Sequence, residues 1–428
     1  APGSLVDGGL VPDRWWESFE CKALNTLVEQ ALAHSPNALA ARARLREAQE
    51  NLNAQSRGTL YPSVDAQFGV TRQKIDPASF GIPNIPTAPP FTLYNAQVNV
   101  FYTLDFFGGN RRAIEGLRAQ RDYQNHETQA AELTLAAHVV AAAIRQADLQ
   151  EQVQLNVQLL QAESRQYEIA EERYRVGGIA LEALQSQRAA LEQLRAALPL
   201  LTAQREQVDH ELAVYIGTTP AEARIPPIRI GDLHLPAAIP LTLPADLVRR
   251  RPDVQAYEAL WHQASANVGV ATAKLFPTMT LSGYAGSDRT NASDLVDSLN
   301  VWSIGAKLMQ PIFHAGELRA QRRSAVAAYD AAAHAYEETV LESLQQVADG
   351  LRAMDADARV LQARSAALER SASNYSIAEQ RFDVGGISEL SLLDAKRDKL
   401  ESSLDRSRAE AQRLADTAAL LHAMAGPI

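Results

Sequence analysis

The chain has 428 residues and a formal charge of −10, and the acidic balance argues against a nucleic-acid partner, which would demand a basic face. Its one cysteine, Cys21, excludes an internal disulfide and a cysteine-built metal cluster, and reads as a solvent-accessible or half-buried thiol. No apolar run reaches the roughly 18–20 residues that a membrane-crossing helix needs.

Residues 1–35 read as a loop carrying Trp15-Trp16, then a short amphipathic helix on Leu24, Leu27, Val28, Ala31 and Leu32. A chain beginning at Ala1 is expected to have lost a leader segment. Ser35-Pro36 is a helix start, with serine as cap and proline in the first turn, and Leu60-Tyr61-Pro62 closes that helix. The period then changes. Val64, Ala66, Phe68 and Val70 alternate with Ser63, Asp65, Gln67 and Thr71, which predicts a strand over about 62–74. Beyond a proline-rich stretch (Pro77, Pro83, Pro86, Pro89, Pro90), a second strand over about 91–106 sets Tyr94, Ala96, Val98, Val100, Tyr102 and Leu104 against Asn95, Gln97, Asn99 and Thr103. In a soluble sandwich the apolar face would be core; in a transmembrane barrel it would face lipid, with the polar face lining water.

Gly108-Gly109 opens a proline-free helical pattern over 110–176. At about 1.5 Å per residue this is on the order of 100 Å long, and such a helix needs a neighbour along its length. Val176-Gly177-Gly178 reverses it into a return helix, 180–216, expected to break or kink near Pro199. A proline-rich linker covers 217–251, and the programme restarts at Pro252-Asp253. Strands follow over about 277–288 and 299–313, then a long helix over 317–384, the turn Val384-Gly385-Gly386, and a return helix over 388–424. The chain is thus a tandem duplication, repeat 1 over 36–216 and repeat 2 over 252–425.

The two turns are near copies: Arg173-Tyr174-Arg175-Val176-Gly177-Gly178-Ile179-Ala180 and Arg381-Phe382-Asp383-Val384-Gly385-Gly386-Ile387-Ser388. A glycine after a helical run supplies the left-handed conformation that ends a helix without a Cβ clash. The last helix carries a seam in steps of three and four: Leu390, Leu393, Arg397, Leu400, Leu404, Ser407, Ala411, Leu414, Ala418, Leu421. Arg397 interrupts it, as Arg188 interrupts Leu181, Leu184 and Leu191 in the first repeat. Asp394 and Leu390 share a face with Arg397, which reads from the residues alone either as a constriction or as a solvated face with a local pair worth about 0.3–0.5 kcal/mol. Arg173-Tyr174 and Arg381-Phe382 suit a latch between neighbouring helices, or equally residues favoured at the negative end of a helix dipole. Arg249-Arg250-Arg251 reads as a helix entry. Nine histidines show no His-Glu-x-x-His spacing, and neither a Gly-x-Ser-x-Gly elbow nor a phosphate loop is present. No enzyme activity, metal or cofactor is expected.

Four strands with one apolar face cannot close around water, because the smallest membrane barrels use about eight and open edges are not tolerated in lipid. Three chains would pool about twelve. The order of motifs resembles the outer membrane factor family, the TolC-like efflux channels, in the branch serving resistance-nodulation-division pumps. Its most specific stretch is Leu243-Pro244-Ala245-Asp246-Leu247-Val248-Arg249-Arg250-Arg251-Pro252-Asp253-Val254, continuing through Ala264–Ala271 to Phe276-Pro277; Trp15-Trp16 with Phe19 and the two Val-Gly-Gly turns add to it. The resemblance implies a mainly α fold with a transmembrane β segment. It further implies a homotrimer with a β-barrel in the outer membrane and a helical barrel through the periplasm. Such a tube is a passive exit duct, joined through a periplasmic adaptor (membrane fusion) protein to an inner-membrane resistance-nodulation-division transporter. It also implies a periplasmic gate on Leu390, Asp394 and Arg397, with Leu181, Arg188, Arg173, Tyr174, Arg381 and Phe382 as further gate or latch positions. Adaptor docking falls on Val176, Gly177, Gly178 and Ile179 and on Val384, Gly385, Gly386 and Ile387. Two departures stand out: the lipid-bearing cysteine of many members is absent, and a second glycine replaces a larger apolar residue in each turn. The alternative reading, a periplasmic structural or adaptor coiled coil, has no use for the alternating aromatics of 91–106 and 299–312.

Overall fold

The computed structural model describes residues 4–9, 11–76, 89–241, 249–295, 297 and 299–427. The prolines of 77–88 and the first half of the family-like stretch, 243–248, lie outside the described residues. In chain order the elements are β1 (Ser4–Asp7), α1 (Lys22–His34), α2 (Pro36–Leu60), β2 (Ser63–Gln73), β3 (Phe91–Leu104), α3 (Gly109–Arg175), α4 (Leu181–Tyr215), β4 (Ala238–Leu241), α5 (Pro252–Ala273), β5 (Thr278–Arg289), β6 (Val301–Met309), α6 (Glu317–Asp383) and α7 (Glu389–Met424). The mainly helical class with a small sheet agrees with the sequence pattern. Among the described residues no helix is apolar enough to cross a membrane. The chain divides into two units, one of residues 44–124 and 257–336, the other of 1–43, 125–256 and 337–428.

The first unit holds an antiparallel sheet in the order β2-β3-β5-β6. Its register explains the alternation. Val64, Val100, Gly283 and Ile304 form one row, and Ala66, Val98, Ala285 and Trp302 another, so the apolar positions of all four strands share a face. Asp65, Asn99, Tyr284 and Ser303 form a row on the opposite face, as do Thr103, Thr280 and Lys307. The apolar face is bare: Val64, Phe68, Trp302 and Ile304 are exposed. Gly286 lets β3 and β5 approach, since a Cβ there would lie 2.4 Å from the Ala96 carbonyl oxygen. Below the sheet, small residues bring α3 and α5 together. A Cβ at Gly109 would touch Ala273, and one at Gly269 would lie 2.7 Å from Arg112. Trp261 of α5 stacks on Tyr336 of α6, with ring centroids 5.7 Å apart.

The second unit is built on one apolar core. Trp15, Trp16 and Phe19 are fully buried against Leu24 and Leu27 of α1, Val139 and Val140 of α3, Leu212 of α4 and Leu420 and Leu421 of α7. Three expectations are corrected here. The N-terminal segment, read as a loop, contains β1, which pairs in parallel with β4 of the linker, Ser4 opposite Ala238 through Asp7 opposite Leu241. Each strand is only four residues long, too short for a periodic signal, and Pro240 is tolerated because proline is accepted on an edge strand. Cys21 is buried, not half-exposed, because it enters α1 within the Trp15–Phe19 cluster. Pro199 does not break its helix: α4 runs unbroken through it. Pro199 and Arg195 are both exposed, so the carbonyl that loses its partner faces solvent, and Thr202 Oγ1 donates to the Leu198 carbonyl at 3.0 Å.

Candidate functional site at the helix turns

Each long helix ends by the same hydrogen-bond pattern. Gly178 N–H donates to the Arg173 carbonyl at 2.7 Å and Gly177 N–H to the Tyr174 carbonyl at 2.9 Å. Gly386 N–H likewise donates to Arg381 at 2.7 Å and Gly385 N–H to Phe382 at 2.8 Å. This is the Schellman motif, and its left-handed position is filled by Gly177 (φ +77°) and Gly385 (φ +75°). The second glycines need no such conformation; a Cβ at Gly178 or Gly386 would sit 3.2 or 3.1 Å from the same carbonyl oxygens. The turns project apolar side chains, with Val176 77% and Val384 81% exposed, while Ile179 and Ile387 are half-buried. Ser388 caps α7, accepting from Ser391 N–H at 3.2 Å, whereas Ala180 gives α4 no side-chain cap.

Behind the second turn, α3 packs on α7 along a seam that becomes polar toward the tip. Gln152, Asn156, Leu159, Glu163, Gln166 and Ala170 recur in steps of three and four, and all are buried. Opposite them, Arg408 donates to Gln152 Oε1 at 3.0 Å, Leu400 packs with Leu155 and Leu159, and Gln166 Nε2 donates to Asp394 Oδ1 at 2.9 Å. Nearest the tip, Arg165 grips Glu389 with two bonds of 2.7 and 3.0 Å. That grip holds the Glu389 carboxyl below its ordinary pKa.

Arg397 lies within a ring of carboxylates and bonds closely to none: Asp394 at 4.0 Å, Asp398 at 3.6 Å and Glu401 at 3.8 Å. The Asp394–Arg397 contact is therefore at the outer limit of ion pairing. Burial pushes the Glu163 carboxyl above its ordinary pKa; Arg397 opposes this, while Asp394 and Glu401 add to it. Leu390 is half-buried one turn before Asp394. Leu181 and Arg188, the first-repeat positions, are exposed, and Arg188 makes no ion pair among the described residues. Arg173, Tyr174, Arg381 and Phe382 are exposed and supply the turn carbonyls. Glu163, Gln166, Arg165 and Glu389 escaped the sequence reading because a search for apolar periodicity passes over a polar seam. The three-and-four spacing from Gln152 to Ala170 was the signal available.

The family described as outer membrane efflux protein matches residues 27–218 and 243–426. The pyoverdine export outer membrane protein OpmQ of Pseudomonas putida is 29% identical over 97% of this chain and 88% of that protein. The toluene efflux pump outer membrane protein TtgF of Pseudomonas putida is 30% identical over 90% of this chain and 79% of its own length. Among solved structures, the outer-membrane channel OprN superposes with a TM-score of 0.87 at 26% identity, covering 100% of this chain and 97% of that one. The open-state MtrE channel of Neisseria gonorrhoeae, at 24% identity and a TM-score of 0.83 over 100% of this chain and 95% of that one, shares the fold. With its sheet split into an apolar and a polar face and its long helices turned at Gly177 and Gly385, the chain belongs to the outer membrane efflux protein family, a family of channels, and is an outer-membrane exit duct with a periplasmic helical extension.

Proposed function

We propose that three copies of this chain close one tube, which conducts small molecules passively from a tripartite efflux pump to the exterior, with no chemistry of its own. The observation that carries this reading is the sheet. It presents a bare apolar face and a polar one, and β2 and β6 each lack a second partner strand among the described residues. Unpaired strand edges are untenable in hydrocarbon, and pooling three such sheets removes every edge. The relatives are named for pyoverdine export and toluene efflux, which supports small organic cargo here too.

In this reading the periplasmic end is the gate, made by three copies each of Leu390, Asp394 and Arg397. Arg397 supports it: three loose carboxylates within its own chain leave a guanidinium with donors to spare for a neighbour. Val176–Ile179 and Val384–Ile387 dock a periplasmic adaptor, which links the duct to an inner-membrane resistance-nodulation-division transporter. The support is the pair of exposed valines on rigid turns. The test is conductance of purified protein in a planar bilayer. Wild type should form stable pores that are mostly closed, and Asp394→Ala with Arg397→Ala should raise conductance. Water-soluble monomers without conductance would end the trimeric reading, and unchanged opening in the double variant would remove the gate from these residues.

A further inference from the structure

The four places where a strand meets a helix share a composition that conduction does not require. Going from strand to helix, exposed Tyr61 and Leu60 lead to Arg57, and Phe106 and Phe107 lead to Arg111 and Arg112. Phe276 leads to Lys274, and Ile312 and Phe313 lead to Arg319, Arg322 and Arg323. The order is the same each time: apolar side chain first, cation within about three helical turns. The chain as a whole has 51 acidic against 41 basic residues, yet within ten residues of these apolar side chains on the helix side the junctions hold seven cations against three carboxylates, Glu50, Glu115 and Glu317, with Asp105 at the strand end of one. All seven cations are exposed.

Helix stability accounts for Arg57, in the last turn of α2, and for Lys274, just past the end of α5, but not for the cations at the helix starts. Arg111, Arg112 and Arg319 lie in the first turns of α3 and α6, where the macrodipole disfavours positive charge. Pairing within the chain is partial. Arg111 is 3.4 Å from Asp105 and Arg112 is 2.7 Å from Glu115, but Arg319 and Arg323 have neither ion pair nor hydrogen bond among the described residues. One junction is also shaped. Phe107 and Phe276 stack in parallel at 4.8 Å, and they line a cleft of about 590 Å³ together with Arg111, Arg112, Thr272 and the carboxylate of Glu115, which pairs with Arg112 and leaves Arg111 as the cation facing the cleft with the weaker partner.

The apolar sheet face belongs in hydrocarbon and the helices in the periplasm, so these junctions meet the headgroups of the inner leaflet. We propose that they form a cationic collar that binds the phosphate of anionic glycerophospholipids in that leaflet, the cleft over Phe107 and Phe276 seating one headgroup. Aromatic side chains settle at the headgroup level, and basic residues just outside the hydrocarbon attract anionic lipid.

The test is native mass spectrometry of the purified protein in detergent with equal phosphatidylglycerol and phosphatidylcholine. Wild type should retain phosphatidylglycerol over phosphatidylcholine by about fivefold or more. A variant with Arg111→Gln, Arg112→Gln, Arg319→Gln and Arg323→Gln should lose that preference. A control with Arg352→Gln, Arg359→Gln and Arg370→Gln, farther along α6, should keep it. No headgroup preference in wild type, or full preference in the junction variant, overturns the proposal. A salt titration of wild type needs no variant: the preference should fall as ionic strength rises from about 0.05 to 0.5 M, and a preference indifferent to salt also overturns it.

Discussion

Gln166 of α3 and Asp394 of α7 are joined by one hydrogen bond of 2.9 Å, and Gln166 is only 1% exposed. The amide's own oxygen finds no donor, so the buried side chain is satisfied only through Asp394. Gln166→Leu removes both the donor and the unsatisfied oxygen, and half-buried Asp394 can turn to water. The fold should therefore change by less than about 1 kcal/mol, while Asp394 is freed and bilayer conductance rises. Thermal unfolding alongside single-channel recording separates the two effects; unaltered conductance would show that Asp394 is held by something other than this bond.

Two titrating groups in the helical unit oppose each other in the same pH window. Burial, then the shared hydrogen bond with Asp416, push Asp357 up to about 6. Burial, then the charge of Arg251, hold His422 down to about 4. Between 3.8 and about 6 the unfolded chain releases the Asp357 proton first, so this group's contribution is full below 3.8 and shrinks as pH rises. Below 6.5 the unfolded chain protonates His422 first, so that contribution shrinks as pH falls toward about 4. Asp357→Asn removes the first effect and leaves the second. Melting curves between pH 6.5 and 4 should show the variant losing more stability on acidification than wild type, by about 1 kcal/mol or less given the solvent screening at Asp357.

The two glycines of each turn should respond differently. Gly177→Ala and Gly385→Ala force an L side chain into positive φ and should each cost about 1 kcal/mol. Gly178→Ala and Gly386→Ala meet only a tight carbonyl contact and should cost less. Urea midpoints of the four single variants give the comparison.

Gly286→Val should abolish assembly. Its side chain would begin 2.4 Å from the Ala96 carbonyl oxygen and 2.6 Å from Gln97 Cβ, which breaks the β3–β5 pairing at the centre of the sheet. Cross-linking of the purified protein in detergent reads this as loss of the trimer proposed above. Gly305→Ala, whose nearest neighbour is Ser282 Oγ at 3.7 Å, should leave it intact.

What was legible in the chain was whatever repeats locally. Alternation at Val64–Val70 and Tyr94–Leu104 identified the strands and their faces, because a strand turns successive side chains to opposite sides. Gly177 and Gly385 marked the turns because the conformation they occupy is one that other residues avoid. What was illegible depended on distant partners. The β1–β4 pairing joins segments more than two hundred residues apart in four-residue pieces. Cys21 is buried by Trp15, Trp16 and Phe19, a cluster that no spacing announces. At Pro199 the local rule was overridden because the helix loses its bond on an exposed side. Glu163 and Gln166 were missed because buried polar residues carry the helical period without the hydrophobicity that makes it visible.

The two Schellman turns hold their shape with backbone carbonyls of Arg173, Tyr174, Arg381 and Phe382 and with one glycine each. None of the four side chains that supply those carbonyls, nor Val176 or Val384, is needed to make the bend. The bend and the docking proposed for these tips therefore rest on different atoms. The exposed side chains of the tips can drift in sequence at little risk to folding, while Gly177 and Gly385 remain the points where such drift must stop.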